Sequence, residues 1–250
     1  MMNKPRFLLL LMIFPSLAAA IQFKATAVMT QPGQADVTTQ IAYSSGRIRK
    51  EFFYYGEPVI EIIDANKDTS LMCFTGQQVC YESKSQADID LGIEHRFETP
   101  CDGAGKGVTC TRVGEEKING RDAVKWKVTA RDGDKELVSW SWMDKKLKIP
   151  IRQKLFNGTE IELEWLGSEK LGNRDTDRWL RRITYPDGRS VENQLWFDKQ
   201  LQIIIREDFP NGGSRVLKHI VVENLPDKLF TIPAGYEKRS LPGSGNRQKP

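Results

Sequence analysis

From Phe23 onward, apolar and polar residues alternate with period two, and almost nowhere with the 3.6-residue period of an amphipathic helix. Six short strands are predicted in the first part of the chain: FKATAVMT (23–30), VTTQIAYS (37–44), RIRKEFFYY (47–55), PVIEIID (58–64), TSLMCF (69–74) and VCYES (79–83). Gly, Pro, Asn and Asp cluster between them, so consecutive strands are expected to pair antiparallel as a meander. The best helix candidate is SKSQADIDLGIEHRF (83–97), interrupted by Gly92.

A repeat overlies this alternation. VTARDGDKELVSWSWMDKKLKIPIRQKLFNG (128–158) aligns on ITYPDGRSVENQLWFDKQLQIIIREDFPNG (183–212) with a single-residue gap. Asp132-Gly133 then matches Asp187-Gly188, Trp142 matches Trp196, Asp144 matches Asp198 and Leu147 matches Leu201. Further on, Ile151-Arg152 matches Ile205-Arg206, and Asn157-Gly158 matches Asn211-Gly212. Each copy reads as strands joined by Asp-Gly, Asp-Lys and Asn-Gly turns, which supply the positive φ that tight hairpins need. No Pro/Gly/Ser linker separates the copies, so both are expected to continue one sheet. The fold class predicted is mainly β: a curved antiparallel sheet with few short helices. A sheet of so many strands curls, and its inside is either filled by side chains or left as a cavity.

The N-terminus carries Lys4 and Arg6, an apolar run from Phe7 to Phe14, then Pro15 and the small residues Ala18, Ala19 and Ala20. This is the plan of a secretory signal peptide, with cleavage expected after Ala20 and a periplasmic destination. The run is far shorter than the ~20 residues that span a bilayer, so no membrane span is expected. Ile21 rather than Cys follows the cleavage point, so no lipid anchor is expected either. Cys73, Cys80, Cys101 and Cys110 form two local pairs, which in an oxidising compartment read as disulfides Cys73–Cys80 and Cys101–Cys110. Their spacings lack the tight knuckle of a zinc site, and no metal or other cofactor is expected. Two of the 37 basic residues fall in the leader, which leaves the remainder near balance with 33 acidic ones. Nothing in that balance calls for nucleic acid.

Several of these stretches, taken in order, resemble one family: FKATAVMT, SSGRIRKEF (44–52), VIEIIDANKDTSLMCF (59–74), INGRDAVKWKV (118–128), WMDKKLKIPIRQ (142–153) and LFTIPAGYEK (229–238). They look like the periplasmic lipoprotein-carrier (LolA/LolB-like) superfamily, nearest its outer-membrane lipoprotein-sorting-like branch of unknown function. The resemblance implies a single domain over 21–238, an incomplete barrel with helices or loops across its open side and acyl chains held in its apolar interior. Leu229, Phe230 and Ile232 would then plug one end of the barrel, 233–235 would form the exit bend, and 239–250 would be a disordered tail. Characterised carriers use helices as a lid. This chain offers one helix candidate and two cysteine loops, so no binding residue carries over one by one.

Candidate ligand-lining residues are Phe52, Tyr54, Trp142, Trp196 and Phe230, with Arg47 and Arg49 as a basic rim. Ordinary core packing would use the same aromatics, and outward-facing strand charge the same arginines. Trp126, Trp165 and Trp179 carry the same ambiguity. Catalytic chemistry has little support: His95 and His219 stand without a nucleophile signature, and GAGKGVT (103–109) departs from the phosphate-loop pattern. No enzyme is expected. Two classes remain: a carrier or sensor for a lipid or lipoprotein acyl chain, and an envelope scaffold or assembly factor whose filled β core binds protein partners. Large residues at Trp142, Ile149, Ile151, Leu163, Trp196, Ile203 and Ile205 favour the filled core, and the family resemblance favours the carrier.

Overall fold

The structure is a computed structural model and describes residues 21–84, 99–102 and 107–240. The leader, most of the helix candidate with His95, part of the GAGKGVT loop and the tail beyond Ser240 lie outside these residues. The six predicted strands form where alternation places them: β1 Gln22–Thr30, β2 Val37–Ser44, β3 Arg47–Tyr54, β4 Glu57–Asp64, β5 Thr69–Phe74 and β6 Val79–Lys84. Ser83 and Lys84, expected to begin a helix, instead extend β6, because Ser70 and Thr69 of β5 continue the ladder opposite them. Next come β7 Thr109–Ile118, β8 Arg121–Asp132, β9 Lys135–Asp144, β10 Pro150–Lys154 and β11 Glu160–Leu171. β12 Arg174–Thr184, β13 Ser190–Asp198, β14 Ile203–Asp208 and β15 Ser214–Val222 follow. A 3-10 turn, Asp227–Phe230, precedes β16 Glu237–Ser240.

All sixteen strands make one sheet, ordered β16-β6-β5-β4-β3-β2-β1-β15-β14-β13-β12-β11-β10-β9-β8-β7. Pairing is antiparallel throughout except between β16 and β6. β1 pairs with β15, which joins the N-terminal meander to the repeat region, while β6 and β7 stand near opposite ends of the order. The order does not close on itself, and the described residues hold no α-helix. The expected incomplete, mainly β architecture is what the chain adopts.

The hairpin between β5 and β6 sets Cys73 opposite Cys80 and Phe74 opposite Val79. Both expected disulfides form, Cys73–Cys80 and Cys101–Cys110. The first closes a loop of sequence separation 7 between fully buried sulfurs. Replacing both Cys73 and Cys80 by Ala should lower stability by about 2.5 kcal/mol from loop-closure entropy, measured by urea unfolding.

The repeat is a packing device. In the first copy Ile149 and Ile151, with Leu147 beside them, pack onto Leu163, Trp179 and Leu195 of the second copy. In the second copy Leu201, Ile203 and Ile205 pack onto Phe23, Ala25, Ile41 and Leu217. Each Leu-x-Ile-x-Ile run thus covers the next stretch of sheet. A buried Arg–Asp pair holds each run in place: Arg121 with Asp144, and Arg174 with Asp198. Each Asp also takes backbone N–H bonds from the turn, Lys146 and Leu147 on Asp144, Gln200 and Leu201 on Asp198. Register shifts recur as well, at Arg112/Gly114 in β7 and Trp165/Gly167 in β11. The structural repeat therefore begins earlier than residue 128 and includes INGRDAVKW (118–126) and LGNRDTDRW (171–179).

The N-terminal meander is covered on both faces. Neighbouring residues of β2 point to opposite sides, so Ile41 packs with Phe23 and Ala25 while Ala42 packs with Ile62, Leu225 and Phe230.

Candidate ligand-binding groove

The two packing interfaces made by the Leu-x-Ile-x-Ile runs are filled to different degrees. At the first, Leu147, Ile149, Leu163, Trp179, Leu195, Phe197 and Ile204 leave a void of only about 20 Å³, the room of a single water in an apolar pocket. At the second, a groove of about 330 Å³ remains among Ala27, Met29, Val37, Ile41, Ile205 and Leu217. The difference lies in the partner strand. β12 presents Trp179 to the first run, whereas at the groove β1 presents Ala27, with Phe23 packed against the second run farther along the strand.

Two cations stand on the groove wall, Lys50 and Arg215. Lys50 is paired with Glu61 across β3 and β4 at 3.0 Å, both half-buried. Arg215 reaches Glu207 at 3.1 Å, and this carboxylate, 4% exposed, also accepts bonds from Arg181 and from Asn193 at 2.7 Å. A buried carboxylate shared by two guanidiniums and an amide is well supplied with donors. The groove therefore has apolar walls with two paired cations among its lining residues.

The predicted lining residues do not share one cavity. Trp142 and Trp196 are buried, and their indole N–H groups donate to Glu116 at 2.6 Å and to Glu169. That bond from Trp142 holds the Glu116 carboxyl below the usual carboxylate range against the opposing effect of desolvation, with Lys125 assisting. Arg152 and Lys125 lie over the Trp142 ring, and Arg206 over Trp196. Phe52 lines a separate open depression of about 450 Å³ with Phe53, Pro58 and Ile60. Tyr54 is at the β3–β4 hairpin tip, edge-on to Tyr55, where Phe53 and Tyr55 are 74% and 91% exposed. Among the described residues, no group of His, Cys, Asp and Glu is arranged to hold a metal. No helix there is long and apolar enough to cross a membrane.

Phe230, Arg47 and Arg49 meet at the C-terminal segment. Arg47 pairs with Asp227 at 2.8 Å and lies over the Phe230 ring at 4.7 Å. Arg49 donates to the Leu229 carbonyl at 3.2 Å. Arg47 and Arg49 thus clamp the strap that closes the chain. Phe230→Ala should lower stability by about 3 kcal/mol and open residues 223–236 to proteolysis while the rest of the sheet stays resistant.

Alternation and turns did not mark the groove residues, because Ala27, Met29 and Val37 belong to strands with no other distinguishing feature. No local signal marked them, because the meeting of β1 with the second run is set by the tertiary fold.

No family model and no curated protein matches the sequence. Solved structures do match, and a LolA superfamily protein from Nitrosomonas europaea is 13% identical with a TM-score of 0.39, over 87% of this chain and 91% of that one. A domain named for outer membrane lipoprotein sorting, from Vibrio parahaemolyticus, is 10% identical with a TM-score of 0.36, over 84% of this chain and 89% of its own. A chain of the Pseudomonas aeruginosa MucA/MucB complex is 16% identical with a TM-score of 0.21, over 81% and 88%. Scores this low leave the function to be read from the residues of this chain.

Proposed function

We propose that the protein binds a hydrophobic ligand, the acyl chain of a lipid or lipoprotein, as a periplasmic carrier or sensor of the cell envelope. The observation that carries this reading is the groove of about 330 Å³ left open between the second Leu-x-Ile-x-Ile run and β1–β2. Ten methylenes buried there at ~0.8 kcal/mol each would contribute about 8 kcal/mol before the cost of immobilising the chain. The signal peptide read from the leader and the two disulfides support export to an oxidising compartment. The sequence resemblance implies the same ligand class. The scaffold reading has one observation in its favour, the tight filling of the first interface, which shows that this architecture can pack solid.

Titration of residues 21–250 with a dansyl-labelled undecanoic acid separates the two. A saturable rise in dansyl fluorescence, reversed by unlabelled palmitate, is the expected result. No rise at any probe concentration below its micellar limit would leave the scaffold reading in its place.

A further inference from the structure

The outer edge of β6 is covered in a way unlike any other strand of the sheet. β16 has four described residues, is paired parallel where the other described pairings are antiparallel, and runs in register from Glu237 opposite Val79 to Ser240 opposite Glu82. Its Glu237, Lys238 and Arg239 side chains are exposed. Lys238 pairs with Glu82 at 2.7 Å, and Arg239 pairs with Glu237 of its own strand at 2.6 Å. Exposed pairs of this kind contribute little, so β16 is held mainly by the backbone ladder. It is also tethered. Leu225 and Phe230 of the strap are buried against Ala42 and Ile62, and Arg47 clamps Asp227, none of which depends on β16.

The edge beneath it is rigid. β6 is paired with β5 along all of its six residues, and the Cys73–Cys80 bond locks the two strands together. A fixed edge with a short, weakly attached neighbour is the arrangement used for strand addition, in which an incoming extended peptide gains affinity from main-chain bonds.

We propose that the outer edge of β6 is a docking site for an extended, basic segment of a partner protein, with β16 held there as a tethered stand-in. The basic character follows from Glu82, which faces Lys238 in the present pairing, and from the placement of Arg239 opposite Tyr81. Tethering gives β16 a high effective concentration, so a partner binds where β16 is displaced. This inference is independent of the acyl groove, which lies between β1–β3 and β14–β15.

The test uses the full chain with Lys238→Pro and Arg239→Pro, since proline cannot donate to a ladder and the strap anchors remain intact. The probe is a fluorescein-labelled peptide of the chain's own sequence, IPAGYEKRSLP (232–242). The proline variant is expected to bind it at least ~10-fold more tightly than the unmodified chain, read by fluorescence anisotropy. Glu82→Lys in the proline variant should weaken that binding about 5-fold, and exchanging Lys238 for Glu in the peptide should restore it. Absence of binding to the proline variant, equal binding by both chains, or indifference to Glu82→Lys would each overturn the proposal. Hydrogen exchange on the unmodified chain covers a variant that fails to fold: amides of β16 should exchange at least ~10-fold faster than those of β5, and equal protection would rule out a replaceable strand.

Discussion

Ala27→Trp is expected to weaken acyl-chain binding at least ~30-fold, about 2 kcal/mol, while the fold is retained. Ala27 stands opposite Thr39 on β2 and Leu217 on β15, and all three line the groove. An indole at this position would occupy space that is open in the native chain, so the usual penalty for overfilling a packed core does not apply. The change copies what the other interface already does, where Trp179 meets the Leu-x-Ile-x-Ile run and leaves almost no void. Thr26→Trp is the control. Thr26 points to the opposite face of β1, where its hydroxyl bonds Gln40, and an indole there should leave acyl affinity unchanged. Fluorescence titration with the dansyl probe measures both variants.

The second large effect is on stability. Asp198 is 1% exposed and accepts bonds from the Arg174 guanidinium and from the N–H groups of Gln200 at 2.9 Å and Leu201 at 2.7 Å. Asp198→Ala leaves a largely buried guanidinium without its carboxylate and two turn donors without an acceptor, at a cost of about 3–5 kcal/mol. A fall in Tm on the order of 10 °C should follow. Because Leu201 starts the run that floors the groove, the same variant should also lose acyl affinity. Lys170→Ala provides the contrast: its pairing with Asp175 is 3.9 Å long and exposed on both sides, so its removal should change stability by less than about 0.5 kcal/mol.

The strands were legible because alternation and turn residues act locally. TSLMCF and VTTQIAYS match β5 and β2 at both ends, and the Asp-Gly turns adopt the positive φ expected of them, at Gly133 and Gly188. Proximity sufficed for both disulfides because each links neighbours in sequence. What alternation could not show was the partner of each face. Trp142 and Trp196 have the composition of ligand-binding aromatics, yet cations above their rings and carboxylates at their indole N–H groups place them in packed clusters. Arg47 and Arg49 suited a rim, and only the tertiary fold brings residues 227–230 to them. β16 was invisible for a simpler reason. Glu-Lys-Arg-Ser has no apolar position to alternate, and its ladder bonds come entirely from the backbone.

The groove was legible only in part. The repeat in the sequence predicted two equivalent runs, Leu147 to Ile151 and Leu201 to Ile205, but not what each would meet. That depends on β1 arriving beside β15 from the far end of the chain, a contact between residues nearly two hundred positions apart that no local pattern encodes.

Native mass spectrometry of residues 21–250, purified without detergent, tests the central claim most directly. The account predicts extra mass that organic extraction removes and that matches a lipid or lipopeptide, absent from the Ala27→Trp variant. A clean mass for the unmodified chain that stays clean after incubation with palmitate would contradict it.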